Sequence, residues 1–332
     1  MRVPYENMYN EFVRVLTKYG MTPERAARSA KLYTDASLDG VYTHGLNRFP
    51  KFIKSVEKGC VEMNAVPVLV ETSGIVERYD GQHGPGNLNA DFCMKRAVEL
   101  AHQNTIGCVA LRNTNHWMRP GAYGLDAADA GCIAVLWTNT VPNMPPWGGK
   151  DAKLGNNPVV FAVPHQGGHI LLDVAMSMFS YGKLESYARS GKELPVEGGF
   201  DKEGNMSKDA AAILETHQPV PIGYWKGSGL SLMLDLIASS LAGGRTTRQV
   251  GELPIETELS QVFIAIDVNR LSDKEEVLEN IHRTAMDLKE SAPMTEGGEV
   301  RYPGEGLLKV REENTRLGIP VEEAIWKGVC AL

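Results

Sequence analysis

The sequence predicts an α/β protein of the α+β type, with helical ends enclosing a sheet-containing centre. Three observations carry this. Helical patterns with start and stop residues fill the chain before Gly59 and return from Ser272 onward. Between them lie six short apolar runs with strand character: Ile75–Tyr79, Cys108–Leu111, Cys132–Thr138, Val159–Val163, Ile170–Asp173 and Val262–Val268. Two of these runs, Val159–Val163 and Ile170–Asp173, are separated by a short segment containing Gly167-Gly168. That spacing suits a hairpin, so part of the sheet is antiparallel.

The elements follow in order. Tyr5 to Tyr19 is a helical pattern closed by Gly20. Thr22-Pro23-Glu24 starts a second helix, with a hydroxyl for the N-cap, proline at the first helical position and an acid facing the positive helix end. It runs through an alanine-rich stretch to Gly40, and a third helix near Pro50–Val56 ends at Gly59. The polar segment Tyr42–Arg48 lies between the second and third. Further helical patterns at Asn89–Gln103, Gly121–Ala130 and Gly229–Leu241 alternate with the strands. Glu193–Asp209 is polar and contains glycine, and reads as a long surface loop or lid. Asp273-Lys274-Glu275-Glu276 opens one C-terminal helix and Pro320-Val321-Glu322-Glu323 another. The expected organisation is a helical part over 1–72, joined by a helical part over 270–332, with the sheet over 73–269.

Composition narrows the class. At 332 residues, 43% hydrophobic and 23% charged, the chain has ample core for a globular enzyme-sized protein. A net charge of -7 argues against a nucleic-acid surface, and an anionic ligand would need a local positive site. The five cysteines form no C-x-x-C pair, which suggests reduced thiols. The N-terminus carries no apolar h-region, and no apolar stretch approaches the ~20 residues of a membrane span. The cytoplasm is the expected compartment, with no membrane partner.

Several constellations carry chemistry. The dinucleotide fingerprint G-x-G-x-x-G is absent. Gly81-Gln82-His83-Gly84-Pro85-Gly86 has its glycines in another order and reads as a turn into a helix. Gly223-Tyr224-Trp225-Lys226-Gly227-Ser228-Gly229 precedes an apolar helix; it is either an anion cradle with Lys226 as its charge or a plain helix entry. His44 sits in the polar Tyr42–Arg48 segment with Arg48 four residues on. If that segment is helical, a proton donor and a carboxylate fork share one side. That is the minimum kit for reducing the keto group of a keto acid. His116, after the Cys108–Leu111 run, is the second histidine candidate. His83, His102, His165, His169, His217 and His282 lack comparable neighbours and read as surface or structural. Asp173 ends an apolar run; it could orient His44, bind a ribose hydroxyl or cap the next turn. No spacing of metal ligands and no nucleophile elbow is present, so no metal is expected.

Taken together these pieces resemble one family over nearly the whole chain: the malate/L-lactate/ureidoglycolate/sulfolactate dehydrogenase type. The matching stretches are Thr43-His44-Gly45 with Arg48 and Pro50, Asn115-His116, Gly155-Asn156-Asn157-Pro158, Asp173-Val174-Ala175-Met176-Ser177, and Tyr224-Trp225-Lys226-Gly227-Ser228-Gly229. Asn115-His116-Trp117-Met118-Arg119, Met144-Pro145-Pro146-Trp147-Gly148 and Ser177-Met178-Phe179-Ser180-Tyr181-Gly182 are closest to members acting on a keto sugar acid. The family's G-T-N-P appears as Gly155-Asn156-Asn157-Pro158, and its D-M-A-T-S as Asp173-Val174-Ala175-Met176-Ser177.

The resemblance implies a non-Rossmann NAD(P)-binding fold, a mixed and largely antiparallel central sheet, helical N- and C-terminal parts packed together, and a homodimer with active sites near the subunit interface. It implies NAD in the form NADH, with NADP as the alternative. His44 would donate the proton and Arg48 hold the substrate carboxylate, with Asn115 and His116 near substrate oxygens. The cofactor would lie along His169, Ile170, Leu171, Leu172, Asp173, Val174, Ala175, Met176 and Ser177, then Trp225, Lys226 and Gly227, then Gly304, Glu305 and Gly306. Two other classes stay open from the residues alone: a binding module without catalysis, and a cofactor-free hydrolase or lyase using His44 and Asp173. Within the dehydrogenases, another 2-hydroxy acid is the alternative substrate.

Overall fold

Apolar side chains spaced at helical intervals organise the N-terminal part. The computed structural model describes residues 1–332. After strand β1 (Arg2–Val3), helix α1 (Tyr5–Lys18) buries Met8, Phe12, Val15 and Leu16 on one face. Helix α2 (Pro23–Leu38) starts with proline at its first position, as expected. Thr22 stands at its N-cap, but the Thr22 hydroxyl makes no capping bond. The Thr22 amide donates instead to Asn64 Oδ1 (2.9 Å), tying the helix start to the segment leading into the sheet. Helix α3 covers Phe49–Glu57.

The rest follows as β2 (Val68–Ser73), β3 (Val76–Asp80), α4 (Gly86–Asn104), β4 (Ile106–Thr114), α5 (Gly121–Asp129), β5 (Cys132–Thr138), β6 (Val159–Val163) and β7 (Ile170–Val174). Then come α6 (Tyr181–Ser190), β8 (Gly199–Phe200), β9 (Met206–Ser207), α7 (Ala210–Thr216), α8 (Trp225–Ala242), α9 (Thr247–Val250) and β10 (Leu259–Asp267). Helices α10 (Lys274–Lys289) and α11 (Leu307–Leu317), strand β11 (Ile319–Pro320) and helix α12 (Glu323–Cys330) complete the chain.

One sheet of seven strands, ordered β2-β3-β4-β10-β5-β6-β7, forms the centre. Only β3 and β4 pair in parallel, joined by the α4 crossover; every other neighbour is antiparallel. The hairpin expected from Gly167-Gly168 is β6–β7, with Val163 opposite Ile170. Side chains alternate across this sheet. Val109, Leu111, Leu136, Val160 and Phe263 face a large core shared with α1 to α5, whereas Cys108, Ala110, Trp137, Val159 and Val262 face a smaller core under α8. The large core also takes in Ile319 and Val329, so the two chain ends share it. Their backbones pair as well, with Arg2 opposite Pro320 and Val3 opposite Ile319.

Two sequence expectations need correction. The sheet begins at Val68, inside the stretch assigned to the helical N-terminal part. All six residues of β2 are exposed, so no alternation marks them as a strand. Glu193–Asp209 is not a plain loop: it carries the β8–β9 pair, and Leu194 is buried with Leu184, Ala210 and Ile213. Two-residue strands are too short to show a period.

Candidate active site

A chain of tight turns, rather than a helix, carries His44 and Arg48. Gly45 N–H reaches Val41 O (3.1 Å), Asn47 N–H reaches Tyr42 O (3.1 Å) and Arg48 N–H reaches Gly45 O (3.0 Å). Position 45 must be glycine, because a Cβ there would strike Ser37 Oγ and lie 2.8 Å from the Ser37 backbone nitrogen. Ser37 Oγ accepts from Leu46 N–H (2.9 Å), fixing the turns on α2. Phe49, next to Arg48, packs on Phe12 (4.2 Å) and edge-on to Tyr33 (5.1 Å). Such aromatic pairs add roughly 0.5–1.5 kcal/mol each beyond area burial, so the base of the turn is rigid.

These turns face the ends of the central strands across a cavity of about 650 Å³. Its walls include Thr43, His44, Asn47, Arg48, His116, Arg119, Thr140, Asn143, Asn156, Asp173, Tyr181 and Glu256. The His44 and His116 rings stack at 5.8 Å with 20° between planes, although they are far apart in sequence. His116 Nδ1 accepts from Met118 N–H (3.0 Å), which places the proton of a neutral His116 on Nε2. Met118 adopts a left-handed backbone (φ 65) to make that bond. His44 makes no side-chain hydrogen bond within the protein.

The local field is positive despite the acidic average. Burial, then Arg48 and Arg119, lowers the His44 imidazole to about 4. His116 is held well below its ordinary value by burial, then Arg48, His44 and Lys51. Arg119 is itself buried and paired with Asp39, which Arg311 also grips through Nε (2.6 Å) and Nη2 (3.1 Å). Asp39 thereby ties the end of α2 to the His116 turn and to α11. The Arg48 guanidinium has only a loose partner, Glu256, at 3.9 Å, and donates no hydrogen bond to protein. Its five donors stay available for a carboxylate.

Asp173 is recessed in the fold yet open to the cavity. Its Oδ2 accepts the Gly121 amide at the start of α5 (2.9 Å), a helix end far away in sequence, rather than capping the turn that follows its own strand. Burial raises its carboxyl to about 6, against the opposing pull of the Gly121 amide and Arg119. A carboxyl raised by folding contributes stability at low pH that is lost as pH climbs through the folded value, here about 6. Asp173→Asn keeps an oxygen for Gly121 without the charge. Because the Asp173 side chain is exposed to solvent in the open cavity, which screens most of that cost, the variant is expected to melt only slightly above the parent at pH 8 and level with it at pH 4; equal melting differences at both pH values would show that the ionised carboxylate costs nothing.

The remaining sequence candidates fall into distinct places. Leu171 and Ala175 line the cavity beside Asp173. Asn115 does not: its amide donates to the carbonyls of Cys60 (3.2 Å), His83 (2.8 Å) and Gly84 (3.0 Å), and so anchors the turn before His116. Met176 is buried in the smaller core with Val174 packed against it, and Ser177 Oγ donates to Phe179 O (2.9 Å). His169 faces Asp129 through Nε2 (2.8 Å) and accepts the His165 amide on Nδ1 (3.2 Å). Leu172 is exposed and Ile170 half-buried.

The other two candidate segments meet this strand from its free edge. Leu171 N–H donates to Pro303 O (3.0 Å), and a Cβ on Gly304 would lie 2.9 Å from Leu171 N. Ile222 N–H donates to Met176 O (2.8 Å), which brings Trp225, Lys226 and Gly227 next to the strand's far end. Trp225 and Lys226 are exposed, with Lys226 Nζ 5.8 Å from the Trp225 ring. Segments 169–177, 223–227 and 303–306 thus form one strip along β7. Of these, Glu305 Oε2 is buried without a hydrogen-bond partner, while Lys289 pairs with the other oxygen.

Sequence reasoning did not single out Glu256, Asn143, Thr140 or Lys51. The only available signal was the polar run Asn139-Thr140-Val141-Pro142-Asn143 directly after a strand, where loops carry sites. Elsewhere, His102, Cys132 and Asp267 bring three potential ligand atoms within 4.8 Å of one another. There the Asp267 oxygens already accept from His102 Nδ1 (2.7 Å) and the Asn269 amide (2.9 Å).

Comparison with known proteins follows the same lines. The profile described as malate/L-lactate dehydrogenase matches residues 3–330. The chain is 42% identical to a 2,3-diketo-L-gulonate reductase of Citrobacter koseri, over 100% of both chains. It is 43% identical to a protein of the same name from Haemophilus influenzae, over 98% of both. A solved malate dehydrogenase from Entamoeba histolytica superposes with a TM-score of 0.94 at 25% identity, covering 99% of this chain and 96% of that one.

Proposed function

The chain belongs to the malate/L-lactate dehydrogenase family, and on that premise we propose that it reduces the keto group of a keto sugar acid, 2,3-diketo-L-gulonate above all, with NADH as the cofactor. It is an oxidoreductase acting between CH–OH and keto groups with a nicotinamide cofactor. The hydrolase and binding-only readings left open by the residues fall with that assignment.

One observation carries the proposal: the stacked His44–His116 pair stands in the same cavity as an arginine whose fork is unspent. Arg48 receives the substrate carboxylate. His116, with its proton on Nε2, donates a hydrogen bond to the carbonyl oxygen. His44 delivers the proton to that oxygen. A carboxylate on Arg48 offsets part of the positive charge that depresses His44, so substrate binding itself favours the protonated imidazole. The nicotinamide, when bound, supplies the hydride to the carbonyl carbon.

The β7 strip suits such a cofactor. Gly304 permits close backbone approach, Glu305 Oε2 lacks a partner, and Asp173 keeps one oxygen free of protein bonds. Asp173, lining the cavity with one oxygen free of protein bonds, matches a ribose hydroxyl and would repel an extra phosphate, which favours NADH over NADPH. Lys226 at the start of α8 serves the pyrophosphate. Lys226→Ala is expected to weaken NADH by roughly tenfold or more, from a lost contact of ~1.5–3 kcal/mol, with a smaller effect on keto-acid KM. An unchanged Kd in fluorescence titration would remove this segment from the site.

The outer face of α8 exposes Leu230, Leu232, Met233, Leu236 and Ile237, next to Trp225. An apolar face of that extent supports a homodimer formed through it. Five unpaired cysteines suit the cytoplasm. The deciding experiment is NADH oxidation by the purified protein across a panel of keto acids, ranked by kcat/KM. The highest value is expected for 2,3-diketo-L-gulonate; a higher value for oxaloacetate, pyruvate or sulfopyruvate would assign another 2-hydroxy acid product.

A further inference from the structure

Charges around the cavity come in pairs. At its mouth, Lys51 faces Glu185 at 3.6 Å, and Arg189 faces Glu185 at 4.0 Å and Glu322 at 3.4 Å. Deeper in, Arg119 is committed to Asp39. Arg48 is the one recessed cation left for an anionic ligand, and Glu256 Oε2 stands 3.9 Å from its Nη2. Glu256 is held in place from behind, because its Oε1 accepts the Val141 amide (3.3 Å). Asn143 and Asn156 continue the same wall as neutral amides joined to each other, with Asn143 Nδ2 donating to Asn156 Oδ1 (2.9 Å).

A carboxylate bound on the Arg48 fork therefore brings the carbons next to it close to Glu256. A carboxylate can only accept hydrogen bonds. A hydroxyl arriving there donates to Oε2 and is welcome. A second carboxylate meets a like charge, with no free cation to offset it. We propose that Glu256 is a specificity-determining residue, which selects hydroxyl-bearing keto monocarboxylates and rejects keto dicarboxylates. This rests on the keto-acid reading above and deepens it. It gives one side chain both the attraction to a sugar acid and the repulsion of a malate-type substrate.

The test uses steady-state reduction with NADH and three small probes: hydroxypyruvate, pyruvate and oxaloacetate. In Glu256→Gln, kcat/KM for hydroxypyruvate relative to pyruvate is expected to fall about tenfold, the size of one lost bond to a charged acceptor. The ratio of oxaloacetate to pyruvate is expected to rise about tenfold or more. Glu256→Asp keeps the charge but shortens the reach; it should lose selectivity for the hydroxyl while still rejecting oxaloacetate. Equal changes on all three substrates in both variants would overturn the proposal and make Glu256 a support for Arg48 alone. Loss of folding in Glu256→Gln, read by thermal melting, leaves Glu256→Asp to decide: a rise in its oxaloacetate ratio equal to its loss on hydroxypyruvate overturns the proposal. Failure of the wild type on every keto acid would instead overturn the underlying reading.

Discussion

Replacing His44 with asparagine is expected to cut kcat for keto-acid reduction by ~10²-fold or more, with melting temperature and NADH affinity close to the parent. The structure makes this a clean test. The His44 side chain makes no hydrogen bond to protein, so its replacement breaks no side-chain network, and the turns that carry it are held by Gly45, Ser37 and Phe49. His116 differs, since it holds the Met118 amide and the left-handed turn there. His116→Asn is therefore expected to cost both activity and some stability. Full kcat in His44→Asn, with loss in His116→Asn, would move the proton donor to His116. The same residue sets a pH dependence. Reduction needs the protonated imidazole, and His44 is lowered to about 4 by burial and its arginine neighbours. The value of kcat/KM for reduction should fall as pH rises above that, while hydroxy-acid oxidation, which needs neutral His44, should stay level. A reduction profile flat to pH 8 would mean that another group delivers the proton.

Arg48→Lys is expected to lower kcat/KM on a keto acid by about 10²-fold, raising KM and lowering kcat together. Lysine cannot reproduce the planar fork that meets both carboxylate oxygens, and a well-made charged contact is worth ~1.5–3 kcal/mol. The Arg48 guanidinium spends none of its donors on protein, and its only ion pair is the 3.9 Å approach to Glu256. The loss should therefore be read in substrate rather than in folding. Because the carboxylate persists through the reaction, the contact both binds and aligns the carbonyl beside His44. On a matched neutral ketone, variant and parent should differ little. Equal losses on both substrates would show that Arg48 supports the fold or the cofactor instead.

Particular elements show what the sequence by itself determined. The central strands were legible because each is a short apolar run between turn residues, and Cys132–Thr138 and Val159–Val163 end where the pattern ends. The β6–β7 hairpin followed from two glycines, and α2 from its proline. The candidate residues His44, Arg48, His116 and Asp173 could be named from residue chemistry and family resemblance. Tertiary structure alone decided the rest. Strand β2 lies exposed on both faces, so burial leaves no mark in its sequence. Strand order, with β10 between β4 and β5, depends on pairings between distant segments. Asn115 and His116 are neighbours, yet one side chain is spent on three carbonyls and the other faces the cavity, a split set by a local backbone bond to Met118. Glu256 comes from a loop far along the chain and meets Arg48 only through the fold. Periodicity records whether a residue is buried by its own element, whereas a cavity wall is assembled from side chains of many elements, whose meeting is a long-range packing outcome that no local pattern encodes.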